Sequence, residues 1–477
     1  MTHELIQTLV FTGVLTGIAL LTYLKCRDHG RSDNDSNREY FLAGGSLTWL
    51  FVAGSITLTN LSTDQLVGMN GNQMILLAVW ELAGFVGLLV LAKIFLPVYY
   101  RNQCTTTTEL LEKRYQSKHL RAAVSMLFLF INVFVFQPAV IYTGALFMLS
   151  MTGVDFDLIV VAAAFAVVGA AYAVVGGLRA VAVSDTYGGI IVFIMGLLVV
   201  WLALDAIRFD FSGIPAERLT LLGDSDSPVP WHTLLTGMIL IQIFYWSTNQ
   251  TITQRAMAAP SVKEAQKGVY AAALVRVLLV PPMVVIPGVV AYKLYGDIGD
   301  AAYGQIVGDL MPSALSGAFA AAIAAAVLSS FNSMVNASAA MYVCDFHQRF
   351  INPKPKVARL SGVMTTIFVI IAIGMVPVYA QADSIINLLQ ELWGLISMPI
   401  LACFTVGLLF TGVDHRAALI ALATGVLGYA CLIWLWMPLH YIHMMCLTFF
   451  FCVGFALLIN RFVFRGRAQF AGLHQFQ

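Results

Sequence analysis

Apolar residues in this chain neither alternate singly nor trace one face of an amphipathic helix. They come in blocks of about twenty, bounded by charges or by Gly and Pro. A helix of about twenty residues rises about 30 Å, the thickness of bilayer hydrocarbon, so each block reads as a membrane crossing. About thirteen blocks can be marked, near 5 to 25, 45 to 70, 76 to 100, 117 to 150, 156 to 176, 184 to 206, 232 to 258, 267 to 293, 305 to 346, 357 to 378, 385 to 410, 416 to 435 and 439 to 462. The pattern predicts an all-α integral membrane protein. The first block follows Glu4 and precedes Lys25, Arg27 and Arg31. That is the reverse of a signal peptide's charge order, so a retained helix with its start outside is expected.

Charge then sets orientation. With residue 1 outside, only Arg208, Arg218 and Lys293 of the 26 Lys and Arg fall on the outer side. Lys93 and Arg276 lie within blocks, and all the others fall inside, which is the bias that fixes topology. An integral protein of a bacterial inner membrane, ending in the cytoplasm, is the expected location. Composition agrees: 59% of residues are apolar and 11% charged, with mean hydropathy +0.83, against about 25% charged in soluble domains. A net charge of +1 offers nothing to nucleic acid, and nothing points to an obligate protein partner. The seven cysteines form no CxxC pair and read as small core residues. No segment between blocks would make a separate soluble domain; the longest, about 207 to 231, reads as an external loop. HExxH and GxSxG are absent, and His440 and His443 read as interfacial packing, so no enzyme is expected.

Two polar constellations inside apolar blocks need a reason. "LTNLSTDQLVGMNG", residues 58 to 71, gathers Asn60, Ser62, Thr63, Asp64 and Gln65 with two glycines. Polar backbone at membrane depth is tolerated only where it is buried or lines a cavity. A break near Asn60 to Ser62 is expected, freeing carbonyls that can bind a hard cation. "AAAVLSSFNSMVNAS", residues 324 to 338, supplies adjacent hydroxyls at Ser329 and Ser330. Small residues of this kind also serve tight helix packing, so the pair becomes a site only beside another helix's free carbonyls. Arg276, ten residues beyond Gln266, falls near mid-membrane and needs a partner, for which Glu81 and Asp64 are candidates. Lys93 is near enough to an inner edge to snorkel. Ser261 and Glu264 stand at capping-box spacing before the helix that carries Arg276.

The segments "FLAGGSLTWL", "TNLSTDQLVGMNG", "FYWSTNQTITQRAMAAPSVKEAQKG" and "AAAVLSSFNSMVNAS" resemble, in order and spacing, the sodium:solute symporter family, most closely its sodium:sugar branch. The resemblance covers about residues 40 to 410. It implies a leading helix and cytoplasmic loop over 1 to 44, then a leucine-transporter-like core of two inverted five-helix repeats, 45 to 206 and 232 to 410. The first and sixth core helices would be broken, and two further helices and a short tail would occupy 411 to 477. Carried over by position, it implies a Na⁺ site made of the carbonyls of Leu58, Leu61 and Ala326 and the hydroxyls of Ser329 and Ser330. Asn332 and Ser333, one turn on, and Asp185 are implied as a second sodium site or ion-release route. Asp185, following Ser184 at an expected helix start, also reads as a cap.

For the solute, the resemblance implies Asn60, Asp64, Gln65, Trp80, Glu81, Gln242, Arg276 and Gln390 as ligands, with Tyr245 as an inner gate beside Trp246. Side chains that both donate and accept suit sugar hydroxyls, and Trp80 offers an apolar face, although aromatic core packing is the ordinary role. The chain departs from the family pattern in several places. Arg276 stands for Lys, Gln242 for Asn, Asp64 for Glu and Gly84 for a small hydroxyl residue, while Phe136 and Gln137 occupy a position expected to be polar. The expected function is Na⁺-coupled sugar symport by alternating access. The alternatives are symport of an organic anion such as a sialic-acid-like sugar acid, through an unpaired Arg276, and a membrane solute sensor.

Overall fold

The computed structural model describes residues 3–27, 37–382, 385–437 and 439–472. Among these residues, nine helices are each long and apolar enough to cross a membrane. The chain begins with α1 (His3–Arg27). A broken pair follows, α2 (Trp49–Asn60) and α3 (Thr63–Gly71), and then α4 (Ile75–Arg101), α5 (Lys118–Thr152) and α6 (Leu158–Ala206). A second broken pair, α7 (Gly237–Ser247) and α8 (Gln250–Met257), leads into α9 (Val262–Tyr295). The remainder is α10 (Leu315–Phe350), α11 (Val357–Tyr379), α12 (Ile385–Leu409), α13 (His415–Trp436) and α14 (Tyr441–Phe462). Lipid-facing surfaces carry large apolar side chains such as Trp434, Leu435 and Phe462. Of the basic residues that set the expected orientation, Arg31 lies outside the described residues.

Both expected breaks are present, at Leu61–Ser62 and at Thr248–Asn249. One expected loop is absent. The connection between the blocks 156 to 176 and 184 to 206 is helical, so α6 runs for 49 residues. At 1.5 Å per residue that is about 74 Å, more than twice the hydrocarbon thickness. No proline lies between 171 and 183 to stop the helix, which packs on α2, α5, α9, α10 and α11. An exact count of thirteen crossings therefore does not follow.

The outer half of the first broken helix is fastened by a specific device. Pro287 in α9 has no N–H to give the carbonyl of Met283 one turn back, which would leave a buried acceptor unpaired. Asn70 of α3 fills the gap: its Nδ2 donates to Met283 O at 3.1 Å, and Gly288 N–H donates to its Oδ1 at 2.7 Å. A side chain on Gly288 would meet Asn70 O at 2.2 Å, so only glycine lets the backbones approach this closely. The capping box before α9 is half formed. Ser261 accepts from Glu264 N–H at 3.3 Å, while the Glu264 carboxylate accepts instead from Trp49 N–H at the start of α2.

At the other end of the bundle, Asp345 of α10 is fully buried and gathers donors from two segments. Two of the donor residues lie on α5, Arg121 at 2.8 and 2.6 Å and Ser125, and two on the 105–108 loop, Thr106 at 2.7 Å and Thr108. This ties the 105–108 loop to the bundle. The same loop receives α8, because Thr107 N–H donates to Gln250 Oε1 at 2.8 Å and Gln250 Nε2 donates to Thr105 O.

Candidate functional site

The break between α2 and α3 frees backbone groups beside α10. Ser62 N–H donates to Asn60 O at 2.8 Å and so leaves Leu58 O without its usual partner four residues on. Facing the break, Ser330 Oγ donates to Thr59 O at 3.4 Å, and the hydroxyls of Thr59 and Ser333 lie 3.3 Å apart. Leu58, Leu61, Ala326, Ser329, Ser330, Asn332 and Ser333 are all buried at this crossing of two helices far apart in sequence. The oxygens there are uncharged, which suits a monovalent cation that must later be released.

Asp185 corrects the cap expectation. Because α6 is continuous through it, Asp185 sits within the helix, fully buried. Its carboxylate accepts from Ser55 Oγ at 2.5 Å and from Ser329 Oγ. A hydroxyl that donates to Asp185 turns its lone pairs elsewhere, so Asp185 orients Ser329 as a ligand would need. Asn332 Oδ1 is buried without a hydrogen-bond partner. Sequence reasoning missed Thr59 and Ser55, whose only signal was their position close before the break, on the same helix.

All eight predicted solute residues, Asn60, Asp64, Gln65, Trp80, Glu81, Gln242, Arg276 and Gln390, line one cavity of about 90 Å³, together with Tyr245 and Trp246. Arg276 Nη2 lies 2.5 Å from Glu81 Oε2, and its guanidinium stacks 4.5 Å from the Trp246 ring. Glu81 is thus the partner that Arg276 required. Asp64 instead accepts from Ser62 Oγ. Gln65 Nε2 donates to the second oxygen of Glu81. Gln242 Nε2 donates to Trp80 O at 2.8 Å and its Oε1 accepts from Trp246 Nε1 at 3.0 Å, which joins α4 to α7. Asn60 Nδ2 donates to the Tyr245 hydroxyl at 2.8 Å. Lys93 is exposed, as snorkelling requires.

Several polar atoms at the cavity have no hydrogen-bond partner. Asn60 Oδ1 and Gln65 Oε1 are buried acceptors of this kind, and Arg276 Nε and Nη1 are buried donors. Unpaired buried groups are costly, so they mark where a ligand would bind. Of the two unusual residues in α5, Phe136 lines the cavity. Its ring centre lies 4.4 Å from that of Trp393, a lining residue that sequence reasoning missed. Gln137 turns away and donates to Ser338 Oγ. A π-helical turn over Asn132–Phe136 sets this division, since its extra residue rotates the helix face.

Two further departures prove to be one. A Cβ on Gly84 would lie 2.9 Å from Arg276 Nε and 3.1 Å from Trp246 Nε1. Glycine at 84 makes the room that the guanidinium needs and a lysine would not. Gly84→Ser is expected to push Arg276 off Glu81 and reduce Na⁺-driven uptake by about tenfold, equal to about 1.4 kcal/mol. Gly84→Ser with Arg276→Lys is expected to recover most of it. Initial uptake rates of the two variants check this, and equal rates would sink it.

His443, expected to pack at an interface, approaches His232 Nδ1 through Nε2 at 2.6 Å. His440 accepts from Ile442 N–H at the start of α14. Among the described residues, no three His, Cys, Asp or Glu are grouped to hold a metal ion.

A family model described as the sodium:solute symporter family matches residues 40–425, more than half of the chain. The chain belongs to the sodium:solute symporter family. The uncharacterized symporter YidK of Escherichia coli K12 is similar at 32% identity, over 95% of this chain and 83% of that one. The sodium/glucose cotransporter of Vibrio parahaemolyticus is 27% identical over 87% and 82% of the respective chains. The rabbit sodium/myo-inositol cotransporter 2 is 29% identical over 83% of this chain and 65% of its own. Among solved structures, a substrate-bound, outward-open Na⁺-coupled sialic acid symporter superposes with a TM-score of 0.81 at 16% identity, covering 95% and 97%. At that identity it shows the fold alone. The protein is therefore an integral membrane symporter with Na⁺ as coupling ion, and its relatives are transporters rather than enzymes.

Proposed function

We propose that this symporter imports a neutral sugar or polyol together with Na⁺ by alternating access, from an outside where the chain begins to a bacterial cytoplasm where it ends. The observation that carries the reading is the mixture of unpaired atoms in the cavity. Acceptors on Asn60 and Gln65 stand beside donors on Arg276, while the Arg276 charge is already matched by Glu81. A hydroxylated neutral solute can donate to the first set and accept from the second. An anion would find no surplus positive charge. The sialic acid symporter keeps the organic anion as the competing substrate class. A solute sensor is the remaining alternative, and net flux separates it from a carrier.

Na⁺ is proposed to bind the carbonyls of Leu58, Leu61 and Ala326 and the hydroxyls of Ser329 and Ser330, with Asp185, Asn332 and Ser333 as candidates for a second ion or its release. The ion would fix the break against α10. The next turn carries Asn60, Asp64 and Gln65, so ordering the break also orders the solute site, which is the coupling. The residues 45 to 206 and 232 to 410 would form the two inverted repeats that rock about these breaks. Inward movement of one charge releases about 2.3 kcal/mol per 100 mV, and a tenfold sodium ratio adds about 1.4. One ion then supports roughly hundredfold accumulation or more.

The test is uptake into proteoliposomes with and without an inward Na⁺ gradient, using labelled glucose, galactose, myo-inositol and sialic acid. Na⁺-dependent entry of a neutral member is expected. Entry of the acid alone would overturn the neutral assignment, and saturable binding without entry of any would favour a sensor.

A further inference from the structure

The charge pattern places Arg255 among the cytoplasmic loop residues, but it lies in α8 and is fully buried. Its Nη1 donates to the Thr251 carbonyl of its own helix. Its Nε and Nη2 are buried with no hydrogen-bond partner, and no carboxylate among the described residues forms an ion pair with it. A guanidinium stays charged at any relevant pH, and an unpaired buried charge costs several kcal/mol. Such a group inside a membrane protein needs either a partner in another state or a function.

The carboxylate nearest in the packing is Asp185, whose hydroxyl partners Ser55 and Ser329 sit on α2 and α10, the two helices against which α8 packs. Asp185 itself has no ion-pair partner among the described residues; it is held by the hydroxyls of Ser55 and Ser329. Ser329 is a proposed Na⁺ ligand. One buried carboxylate thus has two cations to answer to: the proposed Na⁺, through Ser329, and the unpaired guanidinium on α8. The helix α8 packs on both α2 and α10, the two helices that frame the proposed sodium site, so a small shift of α8 changes its distance from Asp185.

We propose that Arg255 is the counter-charge of the sodium-free carrier, closing on Asp185 when Na⁺ leaves and withdrawing when it binds. The inference rests on the sodium site proposed above. With Arg255 and Asp185 paired, the empty carrier reorients without net charge at the site. With Na⁺ bound, the same region carries one extra positive charge, and the membrane potential acts on that form. Arg255 then competes with the ion, and by linkage each weakens the other's hold on Asp185.

The experiment is equilibrium binding of radiolabelled Na⁺ to the purified full chain, with thermal unfolding as a check on folding. Saturable binding that Ser330→Ala removes establishes the site; its absence in the parent protein would remove the site reading itself. Given that binding, Arg255→Gln is expected to tighten Na⁺ by about tenfold, because a competitor is lost. Arg255→Lys should stay near the parent value, and the tightening should vanish when Asp185→Asn is also present, as a double-mutant cycle for a direct pair requires. Mere damage to packing would weaken Na⁺ instead. Should Arg255→Gln not fold, Arg255→Met, which keeps the apolar stem, serves as the neutral variant. Unchanged or weaker Na⁺ affinity in a folded neutral variant, or tightening that persists with Asp185→Asn, would overturn the proposal.

Discussion

Ser330→Ala is expected to abolish Na⁺-dependent uptake while leaving the melting temperature almost unchanged. The two effects separate because the hydroxyl does little for the ion-free fold. Among the described residues its hydroxyl makes one long hydrogen bond, to Thr59 O at 3.4 Å, worth no more than about 1 kcal/mol. For a bare alkali ion the same oxygen would be one of the proposed ligands facing the freed carbonyls of the α2–α3 break, and a methyl group cannot take its place. The measurements are labelled-solute uptake across a Na⁺ gradient and thermal unfolding of the purified variant. Undiminished uptake in a folded variant would remove this residue from the sodium site.

The second large effect is expected at Glu81. Glu81→Gln leaves the buried guanidinium of Arg276 without its counter-charge, and breaking one side of such a pair costs about 3–5 kcal/mol. Melting temperature should fall and transport should be lost together. Glu81→Gln combined with Arg276→Gln removes both charges, so stability should largely return while transport does not. Thermal unfolding of the parent, single and double variants reads this directly. A single variant as stable as the parent would mean that Arg276 is neutralised by another group, and the case for a neutral solute would weaken with it.

Both expectations concern regions to which the sequence itself draws attention, for different reasons. Asn60 to Gln65 stand out because a polar run inside an apolar block has few physical explanations, and the break falls at Leu61–Ser62. Arg276 stands out because a mid-membrane cation must have a partner, although the sequence leaves Glu81 and Asp64 open. Asn70 lies in the same polar segment without attracting a role, since the carbonyl it satisfies belongs to a proline kink more than 200 residues away. Arg255 is misplaced by the charge pattern for a related reason: its neighbours in sequence are polar, and only the packing of α8 puts it out of water.

The sequence by itself determined the solvent, the helical class, the position of the first break and the chemical types that gather at the site. Those follow from hydropathy and from the cost of polar groups in lipid, which are properties of short segments. Only the tertiary structure decided that Glu81 rather than Asp64 neutralises Arg276, that Gly84 makes room for it, that Asp185 orients Ser329 instead of capping a helix, and that Arg255 is buried. Each of these depends on which faces of distant helices meet, and distance along a chain carries no information about that until the helices have packed.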